Sequence, residues 1–69
     1  MRVFCGARLT EIRQARGLRP EQLAVAVDRS AASIFGYESG RIVPPMQVVY
    51  RIARALDVEP IDLFAEADK

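Results

Sequence analysis

Arginine carries almost all of the positive charge in this chain: nine arginines stand beside a single lysine, and histidine is absent. A guanidinium stays charged and offers a planar fork of donors to carboxylates and phosphates, so the chemistry on offer is anion binding. Catalysis lacks its parts. There is no imidazole to act as a base or to activate the one cysteine, Cys5, no glycine-rich phosphate loop, and no pair of carboxylates placed for a cleft. An enzyme is therefore not expected. A lone cysteine without histidine also excludes an internal disulfide and a Cys/His metal set, which leaves Cys5 as a small, reduced, part-buried hydrophobe and implies neither metal nor cofactor.

The charge is distributed unevenly. The formal net charge is only +1, yet residues 1–54 hold nine arginines against four acids, and residues 55–69 hold one lysine against five acids. A basic body with an acidic tail suits an anionic ligand held at one face, while the plainer reading is a solvated surface of mixed charge. Arg8, Arg19, Arg29 and Arg41 are candidate phosphate contacts or else ordinary solvated arginines, and the Ser33 hydroxyl either donates to a phosphate or simply sits in a first helical turn.

The elements that must position these groups are short helices. From Gly17 to Pro44, GLRPEQLAVAVDRSAASIFGYESGRIVP reads as two of them joined by a tight polar turn. Pro20 suits the first helical position, Glu21 complements the N-terminal dipole, and Leu23, Ala24 and Val27 form one apolar stripe. Asp28 tolerates a left-handed turn, Ser30 caps the next helix from Ala31, and Gly40 ends it. Ile34, Tyr37 and Ala31 form the inward face of that helix. Each helix is about two turns, too short to stand alone, so tertiary packing must hold both.

Around this pair the spacing predicts a first helix from about Cys5 to Arg16, with Leu9 and Ile12 inward and Gly17 as its stop. Pro44-Pro45 opens a helix with Val48, Val49, Ile52, Ala53 and Leu56 on its apolar face, running to about Asp57. Pro60 opens a last short helix in which Ile61, Leu63 and Phe64 close the core. Nothing reads as a strand, and Ala65 to Lys69 reads as a frayed end. Sixty-nine residues, 51% of them hydrophobic, make one small domain over 1–69 with a modest core. No apolar run approaches a membrane span, and MRVFCGARL lacks the apolar centre of a signal peptide, so a soluble cytoplasmic protein is expected. The initial Met and the polar, acidic end fit a full-length chain.

The order RLTEIRQARGL, PEQLAVAV, SAASIFGYESGRIVPP and ARALDVEPIDLF resembles the Cro/C1-type (XRE-type) helix-turn-helix family from about Phe4 to Phe64. The matching residues are Arg13, Leu23-Ala24, Ser30, Ile34, Glu38, Gly40, Pro44 and Ala55-Leu56. The resemblance implies an all-α, compact, five-helix, lambda-repressor-like domain whose helix-turn-helix core spans about 20–39. It also implies double-stranded DNA as partner, with the third helix in the major groove, and a homodimer on a palindromic operator, repressor-like in action. Arg13 and Glu38 correspond to a pair that bridges helices in the family, which implies a mostly buried ion pair. The family's base-facing positions correspond to Ala31, Ala32, Phe35 and Gly36.

The chain departs from the family at three places. Arg19-Pro20 replaces a capping hydroxyl followed by Gln, Asp28 replaces a turn glycine, and the four base-facing positions carry no side-chain donor or acceptor. Bidentate base readout is then poor, and what remains is the C5-methyl of thymine, DNA shape and bridging water. Such a helix also suits a second role, a protein-interaction module on the same fold that presents its apolar third helix to a protein partner. Val58, Ile61 and Phe64 are the apolar residues expected at a C-terminal self-contact.

Overall fold

The computed structural model describes residues 1–67. Among them the chain forms β1 (Arg2–Phe4), α1 (Gly6–Ala15), α2 (Pro20–Ala26), α3 (Ala31–Ser39), α4 (Met46–Leu56), a one-turn 3-10 helix (Pro60–Leu63) and β2 (Phe64–Glu66). The fold is mostly helical, with four α-helices. In place of the expected fifth helix stands the 3-10 turn, in which Pro60 fixes the first helical φ and too few residues follow to propagate an α-helix.

Three of the helices stop by one device. At the end of α1, Leu18 N–H donates to Arg13 O and Gly17 N–H to Gln14 O; at the end of α2, Arg29 donates to Ala24 O and Asp28 to Val25 O; at the end of α4, Val58 donates to Ala53 O and Asp57 to Arg54 O. Each satisfies orphan carbonyls by putting one residue in the left-handed region. Gly17 (φ 73°) does so freely, whereas Asp28 (φ 59°) and Asp57 (φ 58°) do so at a small steric cost that their side chains tolerate.

The core is one cluster drawn from every helix: Leu9, Leu23, Ala24, Val27, Ile34, Tyr37, Val48, Val49, Ile52, Ala53, Leu56 and Leu63 are buried. Ile12 packs at its edge, half-buried. Of the three apolar residues expected to close the bottom, Leu63 is fully buried and Phe64 partly, but Ile61 is 51% exposed. A tight 3-10 turn aims successive residues a third of a turn apart, so one of its side chains points inward and its neighbour does not.

The two short strands correct the sequence reading. β1 and β2 pair antiparallel, Arg2 opposite Glu66, Val3 opposite Ala65 and Phe4 opposite Phe64. Phe4 and Phe64 meet edge to face with ring centroids 6.1 Å apart. The register is continued by Ala67 N–H donating to Met1 O and by Cys5 N–H donating to Leu63 O, while the terminal amine pairs with Glu66 at 2.9 Å. Ala65 and Glu66, read as a frayed end, are thus strand residues; Asp68 and Lys69 lie outside the described residues. A pair of three-residue strands is marginal by itself, and the packing of Phe4 and Phe64 against the core supports it here. Among the described residues no helix is long and apolar enough to cross a membrane.

Candidate nucleic-acid interface

α2 and α3 stand at the centre of the candidate site, and local chemistry fixes both starts. The α2 N-terminus lacks a hydroxyl cap because Arg19 precedes Pro20; instead Arg19 N–H donates to Gln22 Oε1 at 2.8 Å, half of a capping box. At α3, Ser30 Oγ accepts from Ser33 N–H at 3.1 Å, and the two hydroxyls lie 3.1 Å apart. Ser33 is consequently half-buried and already hydrogen-bonded to the cap.

Arg13 and Glu38 are brought together across α1 and α3. Arg13 Nε donates to Glu38 Oε2 at 2.6 Å and Nη2 to Oε1 at 3.3 Å, while Nη1 donates to Leu18 O at 2.7 Å. Their side chains are 9% and 11% exposed. The fork therefore ties α3 both to α1 and to the turn leading into α2. A second tie, missed at the sequence level, is Gly6: a Cβ there would strike the carbonyl oxygens of Tyr37 and Glu38, so α1 begins in direct backbone contact with the end of α3. A glycine at a helix start carries no periodicity to reveal such an approach.

The outward side of α3 is nearly bare. Ala32, Phe35 and Ser39 are exposed and Ala31 is half-buried. Gly36 corrects the sequence reading: it is buried, so it offers no surface of its own to a base edge. Its surface is covered by Ile42, whose Cδ1 lies 2.5 Å from where a Cβ of residue 36 would stand. Gly40, in the left-handed region at φ 83°, turns the chain back after α3, and Ile42 N–H then donates to Gly36 O at 3.1 Å. Ile42 was not singled out in the sequence, where a loop isoleucine carries no sign of the direction in which its chain returns.

Most arginines keep their charge free. Among the described residues, Arg13 is the one arginine in an ion pair with a side-chain carboxylate. Arg8, Arg19 and Arg41 are exposed and Arg29 half-buried. Arg29 Nη1 donates to the neighbouring Asp28 O at 3.1 Å, and Arg41 Nε reaches Ser39 Oγ only at 3.4 Å. Arg29 and Arg41 flank α3 along the chain, and guanidiniums without a carboxylate partner suit a polyanion.

A family model described as a helix-turn-helix domain matches residues 5–67. Among solved structures, the chain is similar to the restriction-modification controller protein C.AhdI from Aeromonas hydrophila, at 37% identity and a TM-score of 0.82 over 86% of this chain and 89% of that one. It is also similar to the clp gene regulator ClgR from Corynebacterium glutamicum, at 26% identity and a TM-score of 0.81 over 84% of this chain, which spans 62% of the length of that one. The P22 c2 repressor protein in complex with a synthetic operator shares the fold, at 24% identity and a TM-score of 0.80 over 84% of this chain and 88% of that one. No curated protein matches the chain.

Proposed function

The chain belongs to the Cro/C1-type helix-turn-helix family and has the fold of DNA-binding transcriptional regulators, and from that premise we propose that it is a repressor-like, sequence-specific regulator acting in the cytoplasm. On this reading residues 1–69 are one helix-turn-helix domain without enzymatic activity. A homodimer lays the α3 of each subunit into successive major grooves of a palindromic operator, about 34 Å apart. Arg8, Arg19, Arg29 and Arg41, with Ser33, contact phosphates, and Ala31, Ala32 and Phe35 face base edges. The observation that carries the reading is the combination of an α3 tied down by the Arg13–Glu38 fork with exposed Ala32 and Phe35, flanked along the chain by Arg29 and Arg41, which have no carboxylate partner among the described residues.

Self-contact belongs to the C-terminal part on this reading. There Ile61 is half exposed, whereas Val58 and Phe64 are drawn partly into the core and offer less surface.

One observation favours a second reading. Phe35 in the middle of α3 and Ile42 and Val43 just after it are 50%, 45% and 75% exposed, apolar side chains that would also suit a protein partner. Selection from a randomised duplex pool, with binding measured at two salt concentrations, separates the two. A palindromic enriched site and steep salt dependence are expected of the regulator; negligible binding to any duplex would favour the protein-interaction module. Sedimentation showing a monomer both free and on the palindrome would defeat the dimer.

A further inference from the structure

Gly36 stands on α3 one turn after Ala32 and beside Phe35, yet it is buried. What covers it arrives from outside the helix. Gly40 reverses the chain, the bond from Ile42 N–H to Gly36 O pins the returning segment at 3.1 Å, and the Ile42 side chain comes to rest on the missing Cβ, with Cδ1 at 2.5 Å and Cγ1 at 2.9 Å from its position. A side chain of any other type at 36 would have to begin in the space that Ile42 fills. Ile42 is not a core residue, since 45% of it remains exposed.

We propose that Ile42 is a specificity-determining residue: delivered from the loop onto Gly36, it presents at this point of α3 the side chain that the helix itself lacks, and it recognises the C5-methyl of a thymine. The inference rests on the reading of α3 as the groove-facing helix. Chemistry selects the ligand. A sec-butyl group has neither donor nor acceptor, and the thymine methyl is the apolar feature that a major-groove base edge offers it. A base presenting only polar atoms there would lose water without gaining a hydrogen bond. Helix and loop thereby share one reading surface, so that a change at position 36 alters readout through position 42.

The experiment is duplex selection with the full chain, followed by binding to the enriched duplex carrying either thymine or uracil at each conserved thymine. Uracil removes only the methyl. For the wild type, one thymine per half-site should lose about fourfold in affinity when replaced, the scale expected for one buried carbon. Ile42→Ala should bind the two duplexes equally and no longer enrich that thymine. Gly36→Ala, which raises helix propensity while displacing Ile42, should lose the same preference although Ile42 is still present. Thymine–uracil discrimination kept by both variants would overturn the role of Ile42 and leave the DNA reading standing. A wild-type chain that enriches no duplex would overturn the DNA reading, and this inference with it.

Discussion

The inner and outer faces of α3 differ in how much structure is committed to each. On the inner face Ile34 is fully buried, Tyr37 nearly so, Glu38 accepts two bonds from Arg13, and the carbonyls of Tyr37 and Glu38 lie directly against Gly6. On the outer face Ala32 and Phe35 are exposed, and the one covered position, Gly36, is covered by a loop side chain. The contrast separates placement from reading. The helix is held in one orientation by a buried network, while its outward side offers few polar groups; on the proposed DNA reading, affinity then comes mainly from the arginines.

The sharpest way to break that contrast is at the buried fork. In Glu38→Ala, Arg13 keeps its bond to Leu18 O but loses both bonds to the carboxylate in a nearly solvent-free site. A stranded buried charge costs about 3 to 5 kcal/mol, a large part of the stability of so small a domain. Chemical denaturation should show a loss of this size. An unchanged midpoint would mean that the pair does not hold α3.

The two glycines that touch α3 test the same contrast at a lower cost. A Cβ at Gly6 meets backbone carbonyls, which can retreat only if α1 and α3 separate, whereas a Cβ at Gly36 meets the flexible end of Ile42. Gly6→Ala should therefore lose about 1 to 3 kcal/mol by overpacking. Gly36→Ala should change stability by less than about 1 kcal/mol, because the gain in helix propensity offsets the displaced isoleucine. Equal losses in thermal denaturation would show that the outer face is as tightly built as the inner one.

The sequence made these helices legible for a physical reason that does not extend to the contacts between them. Stripes such as Val48, Val49, Ile52, Ala53 and Leu56 repeat at the helical period, and Pro20, Asp28, Ser30 and Gly40 mark ends by local chemistry, so each element declares itself within a few residues. The β1–β2 ribbon joins three-residue segments from opposite ends of the chain, too short to show alternation. Gly36 is hidden for a similar reason: its burial depends on Ile42 returning after Gly40, a path that helical periodicity does not encode. The bareness of the outer row was readable residue by residue, while its covered position was not.

Phe35 is the largest side chain left on the outer face. Because it is 50% exposed, Phe35→Ala should lose only about 1 kcal/mol of stability, well below the cost of burying and then deleting a whole ring. On the DNA reading, affinity for the selected duplex falls several-fold with the salt slope unchanged, since no charge is removed. Titration of the variant against selected and random duplexes checks this. An identical affinity for both proteins on the selected duplex would move Phe35 from the DNA surface to a protein-facing one.

The smallest effect on stability, and the cleanest separation of placement from reading, is expected at Arg19 and Arg41. Both are exposed, and the Arg41 contact with Ser39 Oγ is long at 3.4 Å, so each Arg→Ala change should alter the folding free energy by no more than about 0.5 kcal/mol. Their contribution is expected in the counterion balance. A guanidinium that neutralises one phosphate releases about one condensed ion, so its removal should lower the slope of log affinity against log salt by about one unit, nearly equally on every duplex. Arg19 precedes α2 and Arg41 follows α3, which places the two charges at opposite ends of the helix pair along the chain. If both slopes fall by one and the double variant falls by two, the arginines act as independent backbone contacts that set the register of a weakly reading helix. If either substitution instead changes which sequence is selected while the slope stays constant, that arginine reaches a base edge, and the outer surface reads more of its operator than its small apolar row supplies.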